Sequence, residues 1–398
     1  MIGERVPLSG HTTLRLGGPA ARLAEMQTAE ELVDAVRRAD AAGEPLLVLG
    51  GGSNLVVSDD GFPGTVLRVA TTGITVREAG EQVLITVAAG ENWDQLVEWS
   101  VAEKLAGLEC LAGIPGLTGA TPIQNVGAYG QEVAATITTV TALDRASGSV
   151  TTLAGADCRF GYRTSRFKRT AWPQRQSGQG QGTTAAAGPT GRYVVLDVTF
   201  ALERDPMSVP VSYAELAAKL GVVCGDRAPL ADVRAAVLEL RRGKGMILDP
   251  ADPDTVSAGS FFTNPVLGTD ELARLERVVS ARMPGMRVPT YPALAPASAA
   301  AQVHAQAQAQ VQASRAGQAA HGYVKVPAAW LIEQAGFGKG YRGRGAARIS
   351  SKHTLALTNA GGGSAADLIG LAKQIAAGVR SAFGIELAHE PVLVGLTL

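Results

Sequence analysis

Two glycine-rich strings carry the residues of this chain best suited to chemistry. Gly50-Gly51-Gly52-Ser53-Asn54 follows the apolar run Leu46-Leu47-Val48-Leu49, and residues 110–130 read CLAGIPGLTGATPIQNVGAYG. Glycine accepts positive φ and lets a ligand come close to the backbone, so such turns can aim N–H groups at phosphate oxygens. The first string is not the GxGxxG turn that opens a helix, because the strand-like run Leu55-Val56-Val57 follows it. Nor is it a GxxxxGK[ST] loop, since Gly-Lys-Ser/Thr is absent. By spacing alone, a plain glycine turn between strands accounts for it as well. The second string asks for more, because a bare glycine loop has no need of Pro115, Gln124 and Asn125 at fixed places.

Other chemistries lack their residues. The histidines (His11, His304, His321, His353, His389) have no HExxH-like spacing, so no metal is expected. No GxSxG elbow and no His/Asp pair stands ready to activate a serine. Cys110, Cys158 and Cys224 are odd in number and far apart, which excludes a disulfide framework or zinc ribbon and fits a reducing compartment. Lys+Arg and Asp+Glu are both 36, and a neutral chain argues against a dedicated nucleic-acid binder. The start has no apolar leader core, and no run approaches a membrane span, so a cytoplasmic protein with no membrane partner is expected. Arginine outnumbers lysine 28 to 8, which singles out each retained lysine, Lys244 among them.

The elements that must position these residues alternate between helix and strand. Length predicts two or three domains. Residues 29–42 place Leu32, Val33 and Val36 on one helical face, with Thr28 as N-cap and Gly43 as stop. Short strands are expected at 46–49, 55–57, 65–69, 74–77 and 83–87, the last two joined by a hairpin at 79–81. A helix is expected over 92–106, then an irregular loop over 110–130, strands at 133–143 and 149–153, and a strand at 193–202. Beyond lie helices near 230–242, 269–281, 327–335 and 365–380, and strands at 354–358 and 392–397. Residues 174–191 and 293–320 are low in complexity and without an apolar stripe, and read as flexible insertions.

Two glycine loops without a Rossmann motif resemble the FAD-binding domain of the vanillyl-alcohol-oxidase (PCMH) type, in which both face one dinucleotide. Three further strings narrow the resemblance. They are Phe160-Gly161-Tyr162-Arg163-Thr164-Ser165-Arg166-Phe167-Lys168, then Ala258-Gly259-Ser260-Phe261-Phe262-Thr263-Asn264-Pro265, and His389-Glu390-Pro391-Val392. With residues 327–336 (PAAWLIEQAG) in the same order, the chain resembles the UDP-N-acetylenolpyruvoylglucosamine reductases from Leu16 to Glu390, the two insertions apart. The resemblance implies an α+β protein. A two-lobed FAD-binding domain would span residues 1–205 (lobes 1–70 and 71–205). A smaller substrate-binding domain would span 206–398, with the last strand returning to the first domain. Non-covalent FAD and NADPH as co-substrate would reduce an enolpyruvyl ether of a UDP-sugar. Hydride would pass from NADPH to flavin N5 and on to C3, with a proton delivered to C2. A monomer is expected.

Carried over residue by residue, the resemblance assigns Arg163 to the substrate carboxylate, which a guanidinium meets in a planar fork. Ser260 becomes the donor to C2, and Glu390 helps polarise the carboxylate. Tyr213, Lys244 and Asn264 fall on the diphosphate, with Tyr162 and Gln334 as further substrate contacts. Tyr213, in Pro-Val-Ser-Tyr, matches the subtype that carries a tyrosine on the loop closing over substrate. FAD would be held by Gly50, Gly51, Gly52, Ser53 and Asn54 in the first loop, and by Ile114, Gly116, Thr121, Gln124 and Gly127 in the second. Thr164 stands where the family often has an acidic residue. The alternatives are an oxidase of the same fold and a non-catalytic nucleotide-sugar-binding descendant.

Overall fold

The structure, a computed structural model, describes residues 2–170, 172, 188–293 and 322–398. The expected insertions at 174–191 and 293–320 fall almost wholly outside them. Chain contacts divide the protein into one compact unit of residues 1–257 and 392–397, and a second of residues 258–391 and 398.

The first unit is built on two sheets. Strands β1 (Ile2–Pro7), β2 (Pro19–Met26), β3 (Leu46–Leu49) and β5 (Phe62–Val69) lie in the order β1-β2-β5-β3. Helix α1 (Ala29–Ala42) covers this sheet. Thr28 and Glu31 form a reciprocal capping box at its start, and Gly43 turns left-handed at its end. Its face of Leu32, Val33 and Val36 is buried, as the spacing requires. Strands β1 and β2 have no counterpart in the sequence reading: PAARLAEM is alanine-rich and lacks clean alternation. Strand β4 (Leu55–Val57) pairs in parallel with Val392–Val394 from the end of the chain. That end strand is shorter than the expected 392–397, because Gly395 turns at φ +68°.

The second sheet is antiparallel, in the order Ser149–Ala154, Ile137–Asp144, Tyr193–Arg204, β7 (Gln82–Ala88), β6 (Ile74–Ala79). Leu105–Ala106 adds to the edge of Tyr193–Arg204. That pairing, with Lys104 at φ +58°, stops helix α2 (Trp93–Ala102) short of the expected residue 106. Residues 133–135 are a 3-10 turn rather than the start of a strand.

The division between units falls at 257/258 rather than at 205. Residues 206–257 join the first unit because helix Leu230–Gly243 buries Val233, Ala236 and Val237 in the same core as Trp93, Leu96 and Leu111. The fully buried Glu109 carboxylate adds a polar tie, accepting the N–H groups of Gly107 (2.7 Å) and Val209 (2.9 Å).

The second unit holds two three-stranded sheets and three helices among its described residues. Ser257–Ser260, Ala356–Asn359 and Ala347–Ile349 form one sheet; Val266–Gly268, Tyr323–Lys325 and Tyr291–Pro292 form the other. The helices are Thr269–Arg282, Ala328–Gln334 and Ala365–Phe383, the last capped by Ser364 and ended by Gly384.

Candidate active site

In the first unit the two glycine loops lie backbone against backbone. A Cβ on Gly51 would stand 2.8 Å from the Gly116 Cα. Gly52 sits at φ +61°, and a Cβ there would be 1.9 Å from the His11 carbonyl oxygen, so no side chain fits. Ser53 Oγ donates to the Pro115 carbonyl (2.9 Å), tying the loops together. Helix α2 holds the second loop from behind. Trp93 Nε1 donates to the Leu111 carbonyl (3.1 Å), and the Trp93 N–H donates to the Gly116 carbonyl (3.1 Å).

A cavity of about 1000 Å³ opens on these loops. Gly50, Gly51, Gly52, Ser53, Asn54 and Gln124 line it, with residues 392–397 among the other walls. Ile114, Gly116, Thr121 and Gly127 do not line it. Gly116 backs the first loop, the Thr121 hydroxyl donates to the Thr118 carbonyl (2.8 Å), and the Gly127 carbonyl accepts from Arg163. Ile114 packs against the core. The volume matches the upper range of cofactor pockets. Its glycine wall, closed to any Cβ at Gly52, offers backbone donors to an anionic ligand, so the residues present fit a dinucleotide such as FAD.

Residues 124–130 form a spine that serves both this cavity and the predicted substrate residues. Lys168 Nζ donates to Gln124 Oε1 (2.8 Å) and to the Arg163 carbonyl (3.2 Å). Asn125, at φ +45°, donates to Glu132 Oε2 (2.8 Å) and the Gly161 carbonyl (3.0 Å). Arg163, itself at φ +51°, donates from Nη2 to the Gly127 carbonyl (2.6 Å), with its guanidinium 5.7 Å from the Tyr162 ring centre. Ser165 Oγ fastens the same segment to the Ile123 carbonyl (2.8 Å).

At the far end of the spine, Tyr129 meets Tyr213 edge to face (5.5 Å), and Lys244 Nζ lies 5.5 Å from the Tyr129 ring centre. Lys244 is ion-paired with Glu215 (2.5 Å). Burial pushes the Tyr129 hydroxyl up to about 12, so it stays a neutral donor at ordinary pH. Burial likewise raises the Cys110 thiol to about 12, an inert core group rather than a nucleophile. Tyr129 and Lys168, which the sequence reading gave no role, join Asn125 in the contacts of this spine. Tyr129 and Lys168 lie inside the quoted strings, and only their contacts single them out.

In the second unit, Ser260 and Glu390 are 130 positions apart but are brought together by the backbone. Glu390 N–H donates to the Phe261 carbonyl (2.8 Å), Thr263 N–H to the Ala388 carbonyl (3.0 Å), and Phe262 bridges His389. Phe261 and Phe262, each 1% exposed, anchor this pair of segments. Asn264 Oδ1 accepts the Ala328 N–H (2.9 Å) at the start of the helix that ends in Gln334. Among the described residues, no group of three His, Cys, Asp or Glu could hold a metal, and no helix is long and apolar enough to cross a membrane.

Known proteins share this organisation. Residues 20–154 match the family pattern described as an FAD binding domain. Residues 250–394 match that described as the C-terminal domain of UDP-N-acetylenolpyruvoylglucosamine reductase. The chain is 50% identical over 399 residues to the UDP-N-acetylenolpyruvoylglucosamine reductase of Thermobifida fusca, covering 100% of this chain and 99% of that relative. It is 50% identical over 394 residues to the protein of that name from Streptomyces coelicolor, covering 98% and 90%. A solved structure of this reductase from Thermus caldophilus has the same fold, with TM-score 0.58 and 24% identity over 99% of this chain and 100% of that one.

Proposed function

The chain belongs to the UDP-N-acetylenolpyruvoylglucosamine reductase family, an FAD-dependent oxidoreductase of peptidoglycan precursor synthesis that uses NADPH and a UDP-sugar, and on that premise we propose how its residues divide the work. When bound, FAD supplies the two-electron chemistry between NADPH and the enolpyruvyl group. We place it, without a covalent link, in the cavity at residues 50–54.

Arg163 takes the substrate carboxylate. Its guanidinium keeps a fixed charge and is braced by the Gly127 carbonyl, so it needs little reorganisation as negative charge grows. Ser260 delivers the proton to C2, and Glu390, tied through the backbone to Phe261, completes the polarisation of the carboxylate. Lys244, Tyr213 and Asn264 hold the diphosphate, with Tyr162 and Gln334 as further substrate contacts. The Lys244–Glu215 pair is partly exposed, and such pairs contribute only ~0–1 kcal/mol, so a diphosphate can take over the ammonium. Tyr213, 45% exposed and lying against Tyr129, suits the subtype whose tyrosine closes over substrate. We further propose a cytoplasmic monomer.

The observation that carries this reading is the shared spine, which ties the cavity wall at Gln124 to Arg163 and to Tyr129 beneath Lys244. Product analysis tests it. Given NADPH and the enolpyruvyl UDP-sugar, the purified protein should return the lactyl ether, heavier by two hydrogen atoms. NADPH consumed with oxygen while the UDP-sugar is unchanged would favour the oxidase alternative.

A further inference from the structure

We propose that His353 restores the proton that Ser260 gives away, so that the two form a relay from solvent to the substrate carbon. This rests on Ser260 being the donor to C2. Ser260 Oγ lies 3.5 Å from His353 Nε2, although the residues are 93 positions apart. The approach is built rather than incidental. The neighbouring Phe261 N–H donates to the Leu355 carbonyl (2.7 Å), which sets the register of the two segments. Ser350 Oγ accepts the N–H groups of Lys352 (3.1 Å) and His353 (3.3 Å), and Ala356 N–H closes the turn on the His353 carbonyl (3.1 Å). The Thr354 hydroxyl ties the turn to Glu333 Oε1 (2.5 Å) on the helix Ala328–Gln334.

The chemistry asks for such a partner. A serine that protonates carbon is left as an alkoxide, a far stronger base than imidazole, whose ordinary pKa is about 6.5. The His353 Nε2–H bond breaks as the Ser260 O–H bond re-forms. The imidazolium becomes neutral imidazole, and water protonates it again. Over a turnover the hydride comes from NADPH and the proton from solvent, and no other reactant is needed. A contact at the long end of hydrogen-bond range is common at a catalytic pair before substrate binds. Charged and titratable groups on the elements bonded to this turn are Glu333, Lys339, Tyr341, Arg342, Arg348, Lys352, His389 and Glu390.

The test is the pH dependence of flavin reoxidation by the enolpyruvyl substrate, without oxygen, by stopped flow. In the unaltered enzyme the rate should fall as pH rises through the imidazole range, because the protonated ring is the active form. His353→Gln should slow reoxidation on the order of 10²-fold and abolish that limb. Its reduction by NADPH should keep the normal rate, which also reports a folded, flavin-loaded protein. Ser260→Ala run alongside separates two failures. If Ser260→Ala is slow while His353→Gln keeps the normal rate and pH limb, the relay is wrong and the serine stands. If Ser260→Ala reoxidises at the normal rate, the serine assignment fails and the relay with it. The unaltered enzyme decides without any variant: a profile flat from about pH 5 to 8 overturns the relay.

Discussion

Ser260→Ala should split the catalytic cycle in two. Reduction of the flavin by NADPH delivers no proton to C2, so it should run at the normal rate. Reoxidation by the enolpyruvyl substrate needs that proton and should slow by about 10²–10⁴-fold, the usual range for a positioned acid. Substrate affinity should change little, because the hydroxyl acts mainly in the transition state. The fold should hold as well. Ser260 ends a strand whose neighbours Phe261 and Phe262 are buried, and the backbone bonds to Leu355 and Glu390 do not use its side chain. Transient absorbance of each half-reaction gives the answer. Equal slowing of both would make the serine structural, and water held by Glu390 would become the first alternative donor.

Arg163→Ala should fail differently. It too should slow reoxidation, by about 10²–10³-fold, the scale for losing one preorganised donor to developing negative charge. It should also weaken substrate binding, since the guanidinium meets the carboxylate in the ground state as well. Structure adds a control. Arg163 holds φ +51°, a conformation that costs a residue with a Cβ about 1 kcal/mol or more. Arg163→Gly removes the same guanidinium but suits that backbone. It should therefore match Arg163→Ala in activity while unfolding at a higher temperature. Arg163→Lys keeps charge without the fork and should recover only part of the binding. Substrate titration with thermal melts separates these cases. If Arg163→Gly restores activity, the arginine serves the loop and not the carboxylate.

Much of the local architecture was legible in the residues. Thr28 and Gly43 bound α1 because caps are short-range signals, and the Gly50–Gly52 turn was legible because consecutive glycines break a strand; the structure adds the Glu31 capping box and the lack of room for a side chain at Gly52. That this turn lines a cavity was not legible locally, since spacing alone fits a plain glycine turn equally well, and only the family resemblance pointed to a ligand there. Long-range packing was not legible. Strand β2 carries too much alanine to announce itself, and pairing with β5 on one side and β1 on the other makes these segments strands. Residues 206–257 read as part of the second domain, yet the amphipathic helix Leu230–Gly243 finds its apolar partners in the core around Trp93. In the second glycine string, sequence alone could not tell which residues face a ligand. Gly116, Thr121 and Gly127 serve the loop itself, while Tyr129 is drawn out by Tyr213 and Lys244 from distant positions. His353 was invisible for the same reason: a lone histidine in SSKHT has no spacing partner, and its neighbour Ser260 comes from a strand 93 positions away.

The most direct test of the whole account uses the unaltered protein without oxygen. Purified protein should be yellow, and NADPH should bleach it. Adding the enolpyruvyl UDP-sugar should then restore the flavin absorbance in a single turnover, with one lactyl ether formed per flavin. Air alone should restore it only slowly. Rapid recovery in air with no response to the UDP-sugar would contradict the account and identify an oxidase on this fold.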